Sequence, residues 1–228
     1  MRKRWIFFLL ALLPVAAAVL CLGIGRYHVG VGETLEILLS ALKGQSAAST
    51  AHSVICKVRL PRILLSLFVG AGLSVAGASF QSLFSNPLAT PDTLGVATGA
   101  SFGAVLALLF SQNLLAVQTS AMVMGLAALL ATTLISRVRG RSTVVMVVLA
   151  GMVVSALFQA MVSLIKYVAD PEEVLPAITY WLMGSMSRAS FHGIAMGVPL
   201  IVGGMAVLFL LRWRLNILSL QEDEAKSL

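Results

Sequence analysis

Three basic residues, Lys57, Arg59 and Arg62, precede a long apolar run and are the first candidates for binding chemistry. Arginine carries a rigid, planar fork of donors that fits carboxylates, and it also anchors helices at lipid headgroups. The sequence contains no GxxxxGK[ST] phosphate loop, no HExxH, no GxSxG and no Cys/His metal spacing. We therefore expect no enzyme, no ATP hydrolysis by this chain and no metal site.

The composition indicates a protein that faces lipid. Hydrophobic residues make up 59% of the 228 residues, charged residues 11%, and the mean hydropathy is +0.97. A soluble domain has about a quarter of its residues charged. The formal charge of +7 is typical of basic residues that flank membrane spans, so we expect a bilayer and no nucleic acid as a partner.

Six apolar segments are long enough, or nearly so, to cross a hydrocarbon core of about 30 Å as helices. They cover residues 5–25, 62–82, 94–111, 114–136, 143–167 and 191–211. The sequence thus predicts an all-α, polytopic membrane protein with about six transmembrane helices. The first segment also has the form of a signal peptide, and we interpret it as an uncleaved span.

The Lys and Arg residues between these segments predict the orientation. One side of the membrane would carry Arg2, Lys3, Arg4, Arg137, Arg139, Arg141, Arg212 and Arg214. This side is the cytoplasm by the positive-inside rule, which makes the N-terminus cytoplasmic. The outer segment 26–62 is an exception because it is itself basic. Within it, residues 32–42 predict a short amphipathic helix and residues 43–53 a loop.

Small residues recur at four-residue intervals in two of the predicted helices. One set is Gly95, Gly99 and Gly103, and the other includes Gly70 and Ser74. Such faces allow helix backbones to approach closely in lipid. We therefore predict that these five residues lie at helix–helix contacts.

The pattern of helices breaks between residues 83 and 93, where Pro87 and Pro91 stand close to Asn86 and Asp92. Proline removes a backbone donor, and Asn and Asp are turn and cap residues. One helix is predicted to end near residue 83 and the next to begin near residue 93.

Three polar residues lie within or near the ends of the apolar segments. They are Gln81, Asn86 and Gln159. They are candidates for lining a translocation pathway, and the alternative is that they only bond neighbouring helices.

Five stretches of the sequence resemble one transport family. They are RLPR (59–62), GAGLSVAGASFQ (70–81), NPLATPDTLGVATGA (86–100), YWLMGSMS (180–187) and LNILSLQEDEAKSL (215–228). In this order they resemble the permease subunits of binding-protein-dependent ABC importers for iron siderophores, haem and cobalamin. The resemblance runs over nearly the whole chain.

The resemblance implies a transmembrane permease of the bacterial cytoplasmic membrane that imports ferric siderophores or related chelates. Its partners would be a second permease subunit, in a homo- or heterodimer, two ATP-binding subunits and an extracytoplasmic binding protein. ATP would be used by those subunits, and this chain would bind no cofactor. Arg59 and Arg62 would dock the binding protein. The cytoplasmic segment 215–228 would couple to the ATPase through Leu218, Leu220, Glu222, Ala225 and Leu228.

The chain departs from the family pattern in two places. Gln221 stands where the family has glycine before Glu222, and the chain ends at Leu228 inside the coupling segment. Residues 1–228 therefore resemble the first part of a ten-helix permease fold, as one incomplete transmembrane domain. The alternatives are a truncated, non-transporting remnant of such a permease and, with less support, an independent secondary carrier.

Overall fold

A computed structural model describes residues 2–43, 49–86, 90–137 and 143–218, and ten α-helices are assigned in this part of the chain. They are α1 (Arg2–Gly23), α2 (Val31–Leu42), α3 (Thr50–Ser53), α4 (Leu60–Phe84), α5 (Val96–Phe110), α6 (Leu114–Ile135), α7 (Val144–Val168), α8 (Val174–Met183), α9 (Phe191–Leu210) and α10 (Arg212–Leu218). A π-helical turn, Val54–Arg59, joins α3 to α4, and a 3₁₀ turn, Pro91–Leu94, precedes α5.

Five helical stretches are long and apolar enough to span a membrane, which confirms the all-α membrane fold. They are Trp5–Gly23, Thr50–Phe84, Leu114–Ile135, Val144–Val168 and Phe191–Leu210. The third predicted span, 94–111, forms the 15-residue helix α5. At 1.5 Å per residue α5 is roughly 22 Å long, shorter than a hydrocarbon core of about 30 Å.

The chain divides into two compact units. Unit 1 comprises Met1–Leu73 and Met186–Ala206, and unit 2 comprises Ser74–Ser185 and Val207–Leu228. Each unit has its own buried cluster of apolar side chains.

The core of unit 2 lies between α5, α6, α7 and α8. Phe102 of α5 and Phe158 of α7 pack with their ring centroids 5.5 Å apart. Ile178 of α8 is fully buried in the same cluster. The sequence did not predict α8, because its 10 residues are too few for a span.

Glycines bring the helices of unit 2 into backbone contact. A Cβ added at Gly99 would lie 2.5 Å from the Cβ of Ala128, and one at Gly103 would collide with the backbone of Ser120. The Ser120 hydroxyl donates to the Gly103 carbonyl at 2.7 Å. The structure thus places both glycines against α6, as the spacing predicts.

The 3₁₀ turn also makes close backbone contact with α7 and a hydrogen bond with α6. Gly151 of α7 lies directly against the carbonyl of Thr93. The buried Thr132 hydroxyl donates to the Leu94 carbonyl at 2.9 Å. Gly95 then has a φ of +74°, a left-handed conformation that glycine adopts without steric cost.

The helix-packing role of Gly70 and Ser74 in α4 stays a prediction. A Cβ added at Gly70 would meet no described atom within 4 Å, and Ser74 is exposed. Gly72 is instead the close contact, because its added Cβ would lie 2.8 Å from a methyl carbon of Ile201 in α9. Gly72 is a close contact on α4 that the four-residue spacing does not select.

The core of unit 1 lies where α1 ends. Leu22, Val29, Ile37, Ala51 and Ile55 form one buried cluster. α2 confirms the predicted amphipathic helix, since Ile37 is buried while Leu35 and Leu39 are exposed.

The predicted loop 43–53 ends earlier than expected. The Ser49 hydroxyl accepts a hydrogen bond from the backbone N–H of His52 at 3.1 Å, so it caps the start of α3. Serine is a preferred N-cap residue because its hydroxyl pairs an otherwise unpaired donor.

The break before α5 agrees with the prediction. α4 ends at Phe84, and the next helical turn begins at Pro91. Residues 87–89 lie outside the described part of the chain.

Candidate functional site

The basic residues of the RLPR stretch lie where α1 ends and α4 begins. Arg59 is the last residue of the π-helical turn, and only 9% of its surface is exposed. Its Nη1 donates to the Leu22 carbonyl at 2.6 Å, and its Nη2 donates to the Tyr27 carbonyl. One guanidinium thus ties the end of α1 and the following turn to the start of α4.

Electrostatics explains this position. The last four carbonyls of an α-helix have no partner within the helix, and they carry a partial negative charge. A buried arginine close to the end of α1 supplies both donors and a positive charge. Gly25 makes room for it, because a Cβ there would lie 2.5 Å from Nη2 of Arg59.

The docking role expected of Arg59 stays a prediction. A docking residue needs an exposed guanidinium, but Arg59 directs its donors to carbonyls of its own chain. The prediction missed this because the end of α1 is 37 residues away in sequence. Arg59 therefore positions the end of α1 and the turn that follows it.

Arg62 has a different environment. It is exposed on the first turn of α4, and its Nη2 donates a long hydrogen bond to the Ser187 carbonyl at 3.5 Å. Lys57 is also exposed. These two side chains remain accessible to a partner.

A cleft of about 640 Å³ lies beside Arg59 and Arg62. It is formed by α1 on one side and by the π-helical turn and α4 on the other. Arg26, Arg59 and Arg62 are among the residues that line it, together with mostly apolar side chains of both helices. We call this cleft the α1–α4 groove.

The three candidate pathway residues belong to unit 2 and are not among the residues that line the groove. Gln81 is exposed in the last turn of α4, Asn86 follows that helix, and Gln159 is exposed in the middle of α7. The carbonyl of Gln81 accepts from the N–H of Asn86 at 3.2 Å. The carbonyl of Gln159 accepts from the Ser163 hydroxyl at 3.0 Å.

The coupling segment is described only at its start. Leu218 is the last residue of α10. The other coupling candidates, Leu220, Glu222, Ala225 and Leu228, lie outside the described residues, as does Gln221. At the start of α10 the Arg212 guanidinium lies 4.1 Å from the centre of the Phe209 ring.

Comparison with known proteins decides the family. Residues 9–228 match the FecCD transport family. The chain belongs to this family. This confirms the resemblance that the ordered stretches indicate.

Two permeases are among the proteins with related sequences. The chain is 42% identical over 224 residues to the molybdate import system permease protein MolB of Haemophilus influenzae. The aligned region covers 98% of this chain and 66% of MolB. It is 35% identical over 222 residues to a probable iron chelatin transport system permease protein of Helicobacter pylori, covering 96% of this chain and 67% of that protein. The chain thus spans about two thirds of the length of these relatives.

A solved structure has the same fold. It is provisionally assigned as a metal-chelate type ABC transporter in an inward-facing conformation. The TM-score is 0.83 and the identity 39%, over 98% of this chain and 67% of that one.

Two residues close to Arg59 in this structure were not singled out from the sequence. Arg26 lines the groove, and Gly25 admits the Arg59 guanidinium. The sequence signal for them in this FecCD chain was their position directly after the first span. The orientation rule does not expect a positive charge on that side of the membrane.

Proposed function

We propose that this chain is the membrane-spanning permease component of an ABC importer that moves iron chelates inward across the bacterial cytoplasmic membrane. The observation that carries the proposal is the likeness to the metal-chelate type transporter, which extends over 98% of this chain in both sequence and fold. In this proposal α5 crosses the membrane as the third of six spans and the N-terminus lies in the cytoplasm, since Arg2, Lys3 and Arg4 then share one side with Arg212 and Arg214.

The energy for transport comes from other chains. The sequence has no phosphate-binding loop, so two separate ATP-binding subunits supply ATP hydrolysis. A second permease subunit completes the pathway, and a binding protein delivers the solute to the outer face. Gln81, Asn86 and Gln159 are the proposed polar contacts along the pathway.

Molybdate is a second candidate substrate, because MolB is 42% identical to this chain. In a ferric chelate and in a metal oxyanion alike, the metal travels inside its own ligand shell. Neither requires a metal ligand from the permease, so both are compatible with the same membrane component.

Uptake measurements test the proposal and separate the two substrates. The chain is expressed together with an ATP-binding subunit and a binding protein of this importer type from the same genome, in a host that lacks its own uptake of the tested solute. We expect accumulation of ⁵⁵Fe supplied as a ferric siderophore, and its loss when the ATPase cannot hydrolyse ATP. Accumulation of ⁹⁹Mo-molybdate alone would assign the second substrate. If neither label enters, the proposed import function is wrong.

Docking of the binding protein is assigned to Arg62, whose guanidinium is exposed, with Arg59 holding the segment in position. Complementary charge steers association and fixes orientation. Arg62→Glu should weaken binding-protein affinity and reduce its dependence on salt. Arg214→Glu, an exposed residue after the last long span, is the matched control. Unchanged affinity of the Arg62 variant would remove this role.

Coupling to the ATPase is assigned to the segment 215–228. A chain that ends at Arg214 should fail to retain the ATPase in a pull-down from detergent solution, while the whole chain retains it. Equal retention by both chains would place the ATPase contact elsewhere.

A further inference from the structure

A second exposed arginine lies next to the contact that Arg62 makes with the turn between α8 and α9. The Ser187 carbonyl accepts the hydrogen bond from Nη2 of Arg62, and Arg188 is the next residue in the chain. Both segments belong to unit 1, and Arg188 is exposed, as Arg62 is. The fold therefore brings two cationic residues from distant parts of the sequence to neighbouring positions.

The turn that carries Arg188 is held by hydrogen bonds at both ends. The N–H of Ala189 donates to the Met186 carbonyl at 3.1 Å and closes the turn. The N–H of Gly193 donates to the Ser190 hydroxyl at 3.2 Å, which fixes the start of α9. A segment that is ordered before its partner arrives loses little conformational entropy on binding. The turn therefore presents Arg188 in a conformation that is already suited to recognition.

The exposed side chains of this turn are polar. Ser187, Arg188 and Ser190 are exposed, whereas Met186 is half-buried. A surface segment that inserts into a bilayer exposes large apolar side chains instead. The turn is therefore better suited to water and to the polar surface of a soluble protein than to lipid tails.

The two arginines lack an anionic partner of their own. Within the described part of the chain, neither Arg62 nor Arg188 forms an ion pair with an acidic residue. Like charges at neighbouring positions repel each other, and an anionic partner that contacts both removes that cost. Each guanidinium presents a planar fork of donors that matches a carboxylate. The pair thus fits a surface that carries two carboxylates.

We propose that Arg62 and Arg188 form one docking surface, which binds a pair of acidic side chains on the extracytoplasmic binding protein. This inference rests on the proposed import function and adds a second contact to the docking role of Arg62. In the proposed orientation the turn 186–190 precedes the sixth span, so Arg188 lies on the same outer side as Arg62. Two separate charge contacts fix the orientation of the binding protein, which one contact alone leaves free to rotate.

Charge reversal at Arg188 tests this surface. The purified chain in lipid nanodiscs is titrated with a binding protein of this importer type from the same genome, at low and at physiological salt. We expect Arg188→Glu to weaken the affinity about tenfold and to reduce its dependence on salt. Arg188→Lys keeps the charge without the planar fork, so its affinity should lie between those of the wild type and Arg188→Glu. Arg214→Glu reverses the charge of an exposed residue on the cytoplasmic side and should leave the affinity unchanged.

The outcomes separate this inference from the function on which it rests. If Arg62→Glu weakens binding and Arg188→Glu does not, the joint surface is wrong and the proposed function stands. Equal weakening by Arg188→Glu and Arg214→Glu would reveal only general charge attraction, which also overturns the surface. Failure of the wild-type chain to bind would contradict the proposed function itself.

A compensating charge identifies the contact on the binding protein. Its exposed Asp and Glu residues are replaced one at a time by Arg, and each variant is titrated against the Arg188→Glu chain. We expect one replacement to restore most of the lost affinity, and a different one to restore that of the Arg62→Glu chain. If no replacement restores the affinity of Arg188→Glu, Arg188 contacts no acidic side chain and the proposed chemistry is wrong.

Chemical labelling tests the position of the turn without any partner. In a chain that also carries Cys21→Ser and Cys56→Ser, Arg188→Cys should react with a membrane-impermeant maleimide added outside spheroplasts, whereas Arg214→Cys should not. Added binding protein should slow the reaction at position 188. A residue at position 188 that is labelled only from the cytoplasmic side, or at an unchanged rate with the binding protein bound, would overturn the docking surface.

Discussion

Helices α4 and α7 are both 25 residues long and strongly apolar, but they are packed very differently within this chain. α7 buries residues along its whole length: Ala150, Gly151, Val154, Phe158, Val162 and Ile165. On α4 the one buried residue is Pro61, in its first turn. Apolar character alone therefore does not produce burial in a membrane protein.

The contacts within the two units show what buries residues of a helix. Lipid tails are as apolar as leucine side chains, so helices associate through close fit and interhelical hydrogen bonds. In unit 2, glycines on α5 and α7 let backbones touch. In unit 1 the contacts concentrate at one end, where Arg59 binds the carbonyls of Leu22 and Tyr27. One unit is stabilised along its helices, and the other by a polar clamp.

The largest expected loss of stability comes from the aromatic pair in unit 2. Phe158→Ala leaves a cavity opposite Phe102, and we expect the free energy of unfolding to fall by about 3 kcal/mol. Leu157→Ala, at a neighbouring position that is 59% exposed, is the control and should cost less than about 1 kcal/mol. Reversible unfolding in mixed micelles measures both. Equal losses would mean that burial in α7 contributes nothing specific.

The second prediction compares two glycines. A Cβ at Gly151 would collide with the Thr93 carbonyl, whereas one at Gly70 would meet no described atom. Gly151→Ala should lower the free energy of unfolding by about 2 kcal/mol, as overpacking does. Gly70→Ala should leave it unchanged or raise it slightly, because alanine favours a helix. The reverse order would show that α4 is the more tightly packed helix.

The sequence predicted the helices well because length and hydropathy are local properties. The end of α4 and the break before α5 also followed from local signals, since Asn86, Pro91 and Asp92 are cap and turn residues. α8 escaped detection, because a 10-residue apolar helix that packs on the core has no signature of a span.

The role of Arg59 could not be predicted in the same way. Its partners lie 37 and 32 residues earlier in the chain, and local sequence gives no measure of that distance in space. The sequence placed a positive charge at the right end of the helix. Only the fold shows that the Arg59 guanidinium is buried against carbonyls of its own chain.

The third prediction tests the clamp. Arg59→Met removes the donors to two carbonyls and should destabilise unit 1 by about 1.5 kcal/mol, the lower end for a charged hydrogen bond. Lys57→Met, at an exposed position two residues earlier, should have little effect. Hydrogen exchange of the backbone amides of residues 24–29 should accelerate in the Arg59 variant. Unaltered exchange there would mean that the clamp does not hold the turn after α1.

The smallest expected effect comes from a single hydrogen bond in unit 2. Thr132 is fully buried, and its hydroxyl donates to the Leu94 carbonyl at 2.9 Å. Hydrogen bonds between membrane helices contribute about 0.6 kcal/mol on average. Thr132→Val keeps the shape and removes the donor, so we expect a loss of that size.

Two further variants show whether that loss belongs to the hydrogen bond or to the shape of the side chain. Thr132→Ser keeps the hydroxyl and deletes a methyl group, and Thr133→Val removes a hydroxyl that donates within its own helix, to the Leu130 carbonyl. If the bond to Leu94 holds the 3₁₀ turn, exchange at the Gly95 amide accelerates in Thr132→Val and not in the other two. Acceleration in Thr132→Ser alone would assign the turn's stability to the methyl contact, so that close fit rather than hydrogen bonding would hold the 3₁₀ turn against α6.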